Sequence, residues 1–210
     1  MRLWESCLIR MGSIRPKFLP AICGIRSENA AHRIAVRWRD GGQEHEGVYI
    51  PRRDSSSRLN TLVGGRLFPG LHHRTTFRVA EQADRYEIEM NSRDGRGSLS
   101  VQGRKTETWP GSSVFDGVAQ ASAFFKRGSL GYSATRESGI YDGLELRCRE
   151  WSMEPVAVES VRTSYFDNTV IFPRGGVQFD CALVMRNIAH EWHGRGQMCC
   201  AEATTTATAA

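Results

Sequence analysis

Apolar and polar residues alternate with a period of two through most of this chain. The pattern runs through HRIAVRW (32–38), EGVYI (46–50), TTFRVAE (75–81), RYEIEMN (85–91), SLSVQGR (98–104), GLELRCRE (143–150), EPVAVESV (154–161) and DCALVMRN (180–187). Successive side chains of a strand leave opposite faces, so each segment predicts a strand with one buried face. Between them, RDGG (39–42), SRDGRG (92–97) and FPRGG (172–176) supply glycines suited to tight turns. The spacing predicts a mainly β, β-rich α+β protein built on an antiparallel sheet. A closed or nearly closed barrel would remove the exposed edges that so many strands leave.

Two stretches depart from this alternation. In GSSVFDGVAQASAFFKRG (111–128), Val114, Val118, Ala121 and Phe125 share a helical face, with Ser113 as cap and Gly128 as terminator. DSSSRLNTLVGG (54–65) predicts a shorter helix, with Asp54 as N-cap, Leu59, Leu62 and Val63 turned inward, and Gly64 and Gly65 as the stop.

At 210 residues the chain fits one domain, expected over 20–195, between an N-terminal segment 1–19 and a disordered, low-complexity tail 196–210. No apolar run reaches the roughly 18 residues of a membrane-spanning helix, so no membrane partner is expected. The opening MRLWESCLIRMGSIRP has too short an apolar core for a secretory signal, with Glu5 interrupting it, and a cytoplasmic location is expected. Six cysteines without a CxxC spacing are expected to be free and mostly structural. The net charge is +5, and 25 of the 28 basic residues are arginines scattered along the chain. Without a basic run, a helix-turn-helix or an aromatic-basic motif, that charge does not predict a nucleic-acid interface.

The candidate chemistry centres on GGRLFPGLHHRTTF (64–77). His72 and His73 are poor joint metal ligands, because neighbours on a strand face opposite ways. A helical turn would let His190 and His193 chelate one ion, but they stand in HExH rather than HExxH, so no metal and no cofactor are expected. One of His72 and His73 facing a pocket would serve as acid, base or hydrogen-bonding group. The plainer alternative leaves one packing the turn and the other in solvent. Arg52, Arg53 and Arg58, with Arg66 and Arg74 nearby in sequence, suit a carboxylate- or phosphate-bearing ligand, unless Asp54 already caps a helix and pairs with one of them. Lys126, near a helix C-terminus, has an ordinary reason to be there, since cations are favoured at that end.

The order GVYIPRRDSSSRLN, GGRLFPGLHHRTTFRV, FDGVAQASAFFKRGSLGYS, LRCREWSMEPVAV resembles the domain-of-unknown-function family 2071, the YqjF-like group of the acetoacetate decarboxylase-like superfamily, over about residues 20–190. The resemblance implies a barrel-like β domain with peripheral helices and a small-molecule pocket. Decarboxylases of that superfamily form a Schiff base on one of two adjacent lysines, in a segment reading roughly GRExxGxPKK. Here Gly65 and Arg66 resemble its Gly and Arg, but His72 and His73 stand where the lysines would be, and imidazole forms no iminium with a ketone. The resemblance also places Trp151 on a strand where it would fill the barrel, with Glu150 beside it as a carboxylate of raised pKa if turned inward. The expected partner is an unidentified small molecule, with an anionic one favoured by the arginines. A filled, non-catalytic interaction protein is the alternative, a metal-dependent enzyme the third, and the oligomeric state is open.

Overall fold

A computed structural model describes residues 3–15, 18–20, 22, 24–40, 42–63 and 69–199. Its elements run β1 (Trp4–Ile14), β2 (Ile25–Asp40), β3 (Gln43–Ser55), α1 (Arg58–Val63), β4 (His72–Gln82), β5 (Arg85–Ser92) and β6 (Ser98–Lys105). They continue through α2 (Val118–Arg127), β7 (Leu130–Ala134), β8 (Ile140–Cys148), β9 (Glu154–Thr163), β10 (Ala182–Val184) and β11 (His190–Cys199). The protein is mainly β, and every alternating segment contributes to a strand, although only three residues of 180–187 do so in β10. No helix among the described residues is long and apolar enough to cross a membrane.

The sheet differs from the antiparallel, closed form that alternation predicts: its eleven strands form one mixed, open sheet that branches at β3. Along one edge β3 pairs antiparallel with β2, which in turn pairs with β1. Its other edge is shared by two strands, both parallel to it. Val48–Ile50 pair with Gly131–Ser133 of β7, and Arg53–Ser55 pair with His72–Arg74 of β4. From β7 one branch continues through β8 to β11, and from β4 the other runs through β5, β6 and β9 to β10. Strand β4 takes over where β7 ends, and the Leu71 N–H donates to the Ala134 carbonyl across the junction at 3.3 Å.

Within β3 the register against β2 slips between His32 and Ile34, where Ile50 and Pro51 together face Arg33. Such a bulge suits proline, which has no N–H to give a ladder. It also shifts the alternation by one residue, so that Val48 and Ile50 join Ala31 in one apolar cluster with Cys7 against it. A second cluster, on the β4–β6 side, joins Ala30, Met90 and Leu99, with Leu8, Phe77 and Val101 packed around them. Met90 is wholly enclosed, which for a side chain of its size contributes roughly 1.5–3 kcal/mol.

The segment set apart as 1–19 supplies β1, paired with β2 from Trp4 to Ile14, and β11 carries the sheet past residue 195 to Cys199. Both helices start later than the capping residues predict. α2 begins after Gly117 with no side-chain cap, because the Ser113 hydroxyl donates instead to Asp180 at 2.8 Å; Gly128 does end it. Asp54 is no cap either. It lies inside β3, wholly buried, and the first turn of α1 starts four residues later. Leu59 is exposed, and Gly64 and Gly65 lie outside the described residues.

Candidate functional site

The branch point of the sheet gathers polar side chains that would be costly to bury singly. Ser27, Asn29, His32, Arg52, Arg53, Asp54, Ser55, Thr75 and Ser133 are all buried, and they lie on the strands that meet around β3. Strand alternation sorts them onto two faces. Arg52 and Asp54 face one way with His32; Arg53 faces the other way with Cys7 and Ala31 of the neighbouring strands.

On the first face Asp54 is the hub. Arg52 donates to both its oxygens at 2.8 Å and Thr75 Oγ1 donates to Oδ1 at 2.7 Å, while His32 Nε2 lies 3.6 Å from Oδ2. Burial alone would raise this carboxyl, but the nearby His32 ring and the hydrogen bonds from Arg52 and Thr75 outweigh it and hold Asp54 at about 2. Arg52 continues to Asp94, reaching both carboxylate oxygens at 3.0 Å. His32 stacks on Tyr165 at 4.2 Å between ring centres, and its Nδ1 meets Ser6 Oγ at 2.9 Å. Every strong charge on this face has a counterion.

The second face is different. Arg53, 9% exposed, donates from Nε to Ser133 Oγ at 3.0 Å, and no carboxylate among the described residues pairs with it. Burial and the charge of Arg33 lower its pKa to about 10. Arg33 itself is paired with Glu5 at 2.8 Å, and burial pushes the Cys7 thiol up, which keeps it neutral. His72, the β4 partner of Arg53, lies on the same side. Its Nε2 is 3.3 Å from the Pro69 carbonyl, which only accepts, so the ring proton sits on Nε2 and Nδ1 is left as a buried acceptor without a partner. Burial first, then the Arg53 charge, lower the His72 pKa to about 4. Arg53, His72 and Trp192 line one crevice of about 30 Å³, closed by apolar side chains including Ile9, Met11 and Leu144. The Trp192 Nε1 is also buried and unpartnered.

A tight turn seats His72. Gly70 has φ +84°, its N–H donates to Asp142 Oδ2 at 3.2 Å, and a Cβ there would fall 2.5 Å from that of Ser133. Only glycine fits so closely against β7.

The predicted site residues thus separate. His72 and Arg53 come together at the crevice. His73 turns the other way, to Asp94 at 3.2 Å, and its pKa is lowered by burial and by Arg52. Trp151 does not fill a barrel: its Nε1 donates to Ser122 of α2 at 3.1 Å and so ties that helix down. Glu150 does not turn inward; like Lys126, it is exposed. Arg66 lies outside the described residues. His190 and His193 sit on strand β11 rather than a helical turn, and His193 pairs with Glu191 at 3.0 Å. Among the described residues no three His, Cys, Asp or Glu side chains are grouped to hold one metal ion. Sequence reasoning missed Trp192, Ser133 and His32, whose strands bring them to the branch point only through long-range pairing.

No protein-family model and no curated protein matches the chain.

Proposed function

We propose that this chain is a small-molecule-binding protein whose site is the crevice at the branch of the sheet, beside Arg53 and His72. Its fold would then be an acetoacetate decarboxylase-like one from which the Schiff-base chemistry has been lost. The observation that carries this reading is one crevice lined by three residues that each carry an unsatisfied polar group. Among the described residues, no carboxylate pairs with Arg53, and His72 Nδ1 and Trp192 Nε1 have no hydrogen-bond partner. Buried polar groups in folded proteins are nearly always paired, so each exception calls for an explanation, and a bound ligand supplies one. Lack of Schiff-base chemistry is supported by the described lysines: Lys105 is bound to Glu154 and Lys126 is exposed, so neither is a buried amine in a pocket, while Lys17 lies outside the described residues. Free thiols at Cys7, Cys148, Cys181 and Cys199 support a reducing, cytoplasmic setting.

Native mass spectrometry of protein purified without added ligand tests the reading. A retained small molecule, lost on His72→Ala, is the expected result; no retained mass, and no ligand from a metabolite screen, would defeat it.

The volume favours a second reading. About 30 Å³ is near the space one water molecule occupies in the liquid and roughly a tenth of the lower end for organic-ligand pockets. On this reading the branch point is a filled polar hub of a non-catalytic interaction protein. Replacing Arg53 and His72 together with apolar residues would then leave every binding property intact.

A further inference from the structure

The sheet is open, and β11 forms one of its ends. We infer that β11 is a dimerisation edge, on which a second copy of this chain adds its own β11 antiparallel, with Glu191 of each copy opposite Arg195 of the other. The inference is independent of the crevice and of what the crevice binds.

Backbone geometry decides which groups the edge offers. The Arg149 N–H donates to the Ala189 carbonyl at 3.4 Å, so Ala189 and Arg149 are a hydrogen-bonded pair at the start of the β8–β11 ladder. Such pairs alternate with pairs that share no hydrogen bond. Glu191, His193 and Arg195 therefore turn their N–H and C=O groups toward β8. His190, Trp192 and Gly194 turn theirs to the open side, where no described strand meets them. The other edge of β8 agrees: Leu146, opposite Trp192, donates its N–H away from β11, to the Ser129 carbonyl at 3.0 Å. A row of open backbone groups on a ten-residue strand without proline or lysine is a template for another strand.

Charge selects the occupant and its register. A strand that pairs with its own copy must match outward residues with outward residues, so only every second register is open to it. Pairing Trp192 with Gly194 of the second copy, and Gly194 with its Trp192, sets Glu191 opposite Arg195 on both sides of the axis. These are pairs without mutual hydrogen bonds, in which side chains approach most closely and opposite charges are favoured. Glu191 and Arg195 are exposed and share a face with His193. Their contacts within the chain, to His193 at 3.0 Å and to Glu145 at 2.5 Å, keep both side chains on that face. The neighbouring registers oppose Glu191 to His193, or His193 to Arg195, and neither gives a carboxylate–guanidinium pair. The other ends of the sheet lack this match. β10 has three residues, and β1 carries Glu5 and Arg10 on opposite faces, so no self-pairing brings them together.

Sedimentation velocity of the full chain over a hundredfold range of concentration tests the inference. A reversible shift from one chain to two is expected. Gly194→Pro removes an outward N–H and leaves the β8 ladder whole, and nothing beyond its chain neighbours lies within 4 Å of a Cβ built at Gly194. That variant should keep the wild-type circular dichroism and stay monomeric. Glu191→Arg and Arg195→Glu, each folded by the same criterion, should weaken dimerisation at least tenfold. Mixing these two variants should restore it, because only the mixed dimer has complementary charges at both cross-strand pairs. A wild-type chain that stays monomeric, a dimer that survives Gly194→Pro, charge variants that dimerise as the wild type does, or variants that mixing does not rescue would overturn it. Should Gly194→Pro lose its sheet signal, hydrogen exchange of the wild type decides instead. The Trp192 and Gly194 backbone amides should gain protection as concentration rises, and equal exchange at both ends of the range would overturn the inference.

Discussion

Arg52 grips two carboxylates, whereas Arg53, the next residue along β3, grips none among the described residues. The two side chains leave opposite faces of the same strand, so one residue of chain separates a closed ion-pair network from an open cationic wall. Their substitutions should behave in opposite ways.

Asp54→Asn removes the carboxylate that Arg52 closes upon, leaving a buried guanidinium short of its partner. Breaking one side of a buried pair costs about 3–5 kcal/mol, and urea denaturation should show a loss of that order. A loss under 1 kcal/mol would show that Asp94 alone suffices for Arg52.

Arg53→Met removes an unpaired buried charge and leaves a chain of similar length. Stability should be unchanged or higher, read as an equal or raised urea midpoint. A large loss would mean that Arg53 has a structural counterion and is not held in readiness for a ligand.

His72 makes stability depend on pH. Its pKa falls from the usual 6.5 to about 4 in the folded chain, so between these values the unfolded chain binds more protons. Stability contributed by neutral His72 is therefore complete above about pH 6.5 and is lost as pH falls toward 4. Melting temperature should decline across that window in the wild type, and His72→Gln should flatten the decline. Parallel curves for the two proteins would place the titration elsewhere. Asp54 acts lower down: its stabilisation is present above about pH 4 and fades as pH falls toward about 2.

Gly70→Ala puts a methyl group where φ is +84° and Ser133 is 2.5 Å away. The turn must shift, at a cost of about 1–3 kcal/mol. Because that turn supplies the Pro69 carbonyl to His72, imidazole nitrogen shifts measured by NMR should change too. An unchanged His72 spectrum would show that the ring is held by other contacts.

Borohydride reduction in the presence of acetoacetate should leave the mass of the protein unchanged. The expectation rests on Lys126 being exposed at the end of α2 and Lys105 being tied to Glu154. A reduced adduct on Lys126 would restore the iminium chemistry that the histidine pair otherwise excludes.

Strands with one buried face were legible because alternation records burial directly, as in RYEIEMN, where Tyr86 and Met90 are buried. β1 was not, since Cys7, Leu8 and Ile9 run together without alternation in the N-terminal segment 1–19, and its alternate sides pack against different apolar clusters. β11 hid behind Gly194 and Gly196, which look like turn residues. Pairing partners leave no local mark at all, so neither the parallel junctions of β3 nor the meeting of Arg53 with Trp192 was readable. Asp54 misled only as a helix cap, because an acidic residue before three serines has that pattern; its expected pairing with an arginine is found, with Arg52 two residues earlier.

The edge of β3 shared by β4 and β7 also bears on how the chain is made. During synthesis Val48–Ile50 leave the ribosome about 80 residues before the β7 strand that will cover them. Until then a row of apolar residues with open backbone amides and carbonyls is free to pair with the wrong strand. Early hydrogen-exchange labelling during refolding should therefore find β4–β6, joined by short turns, protected well before the Val48–Ile50 edge, because only the latter waits for a distant partner.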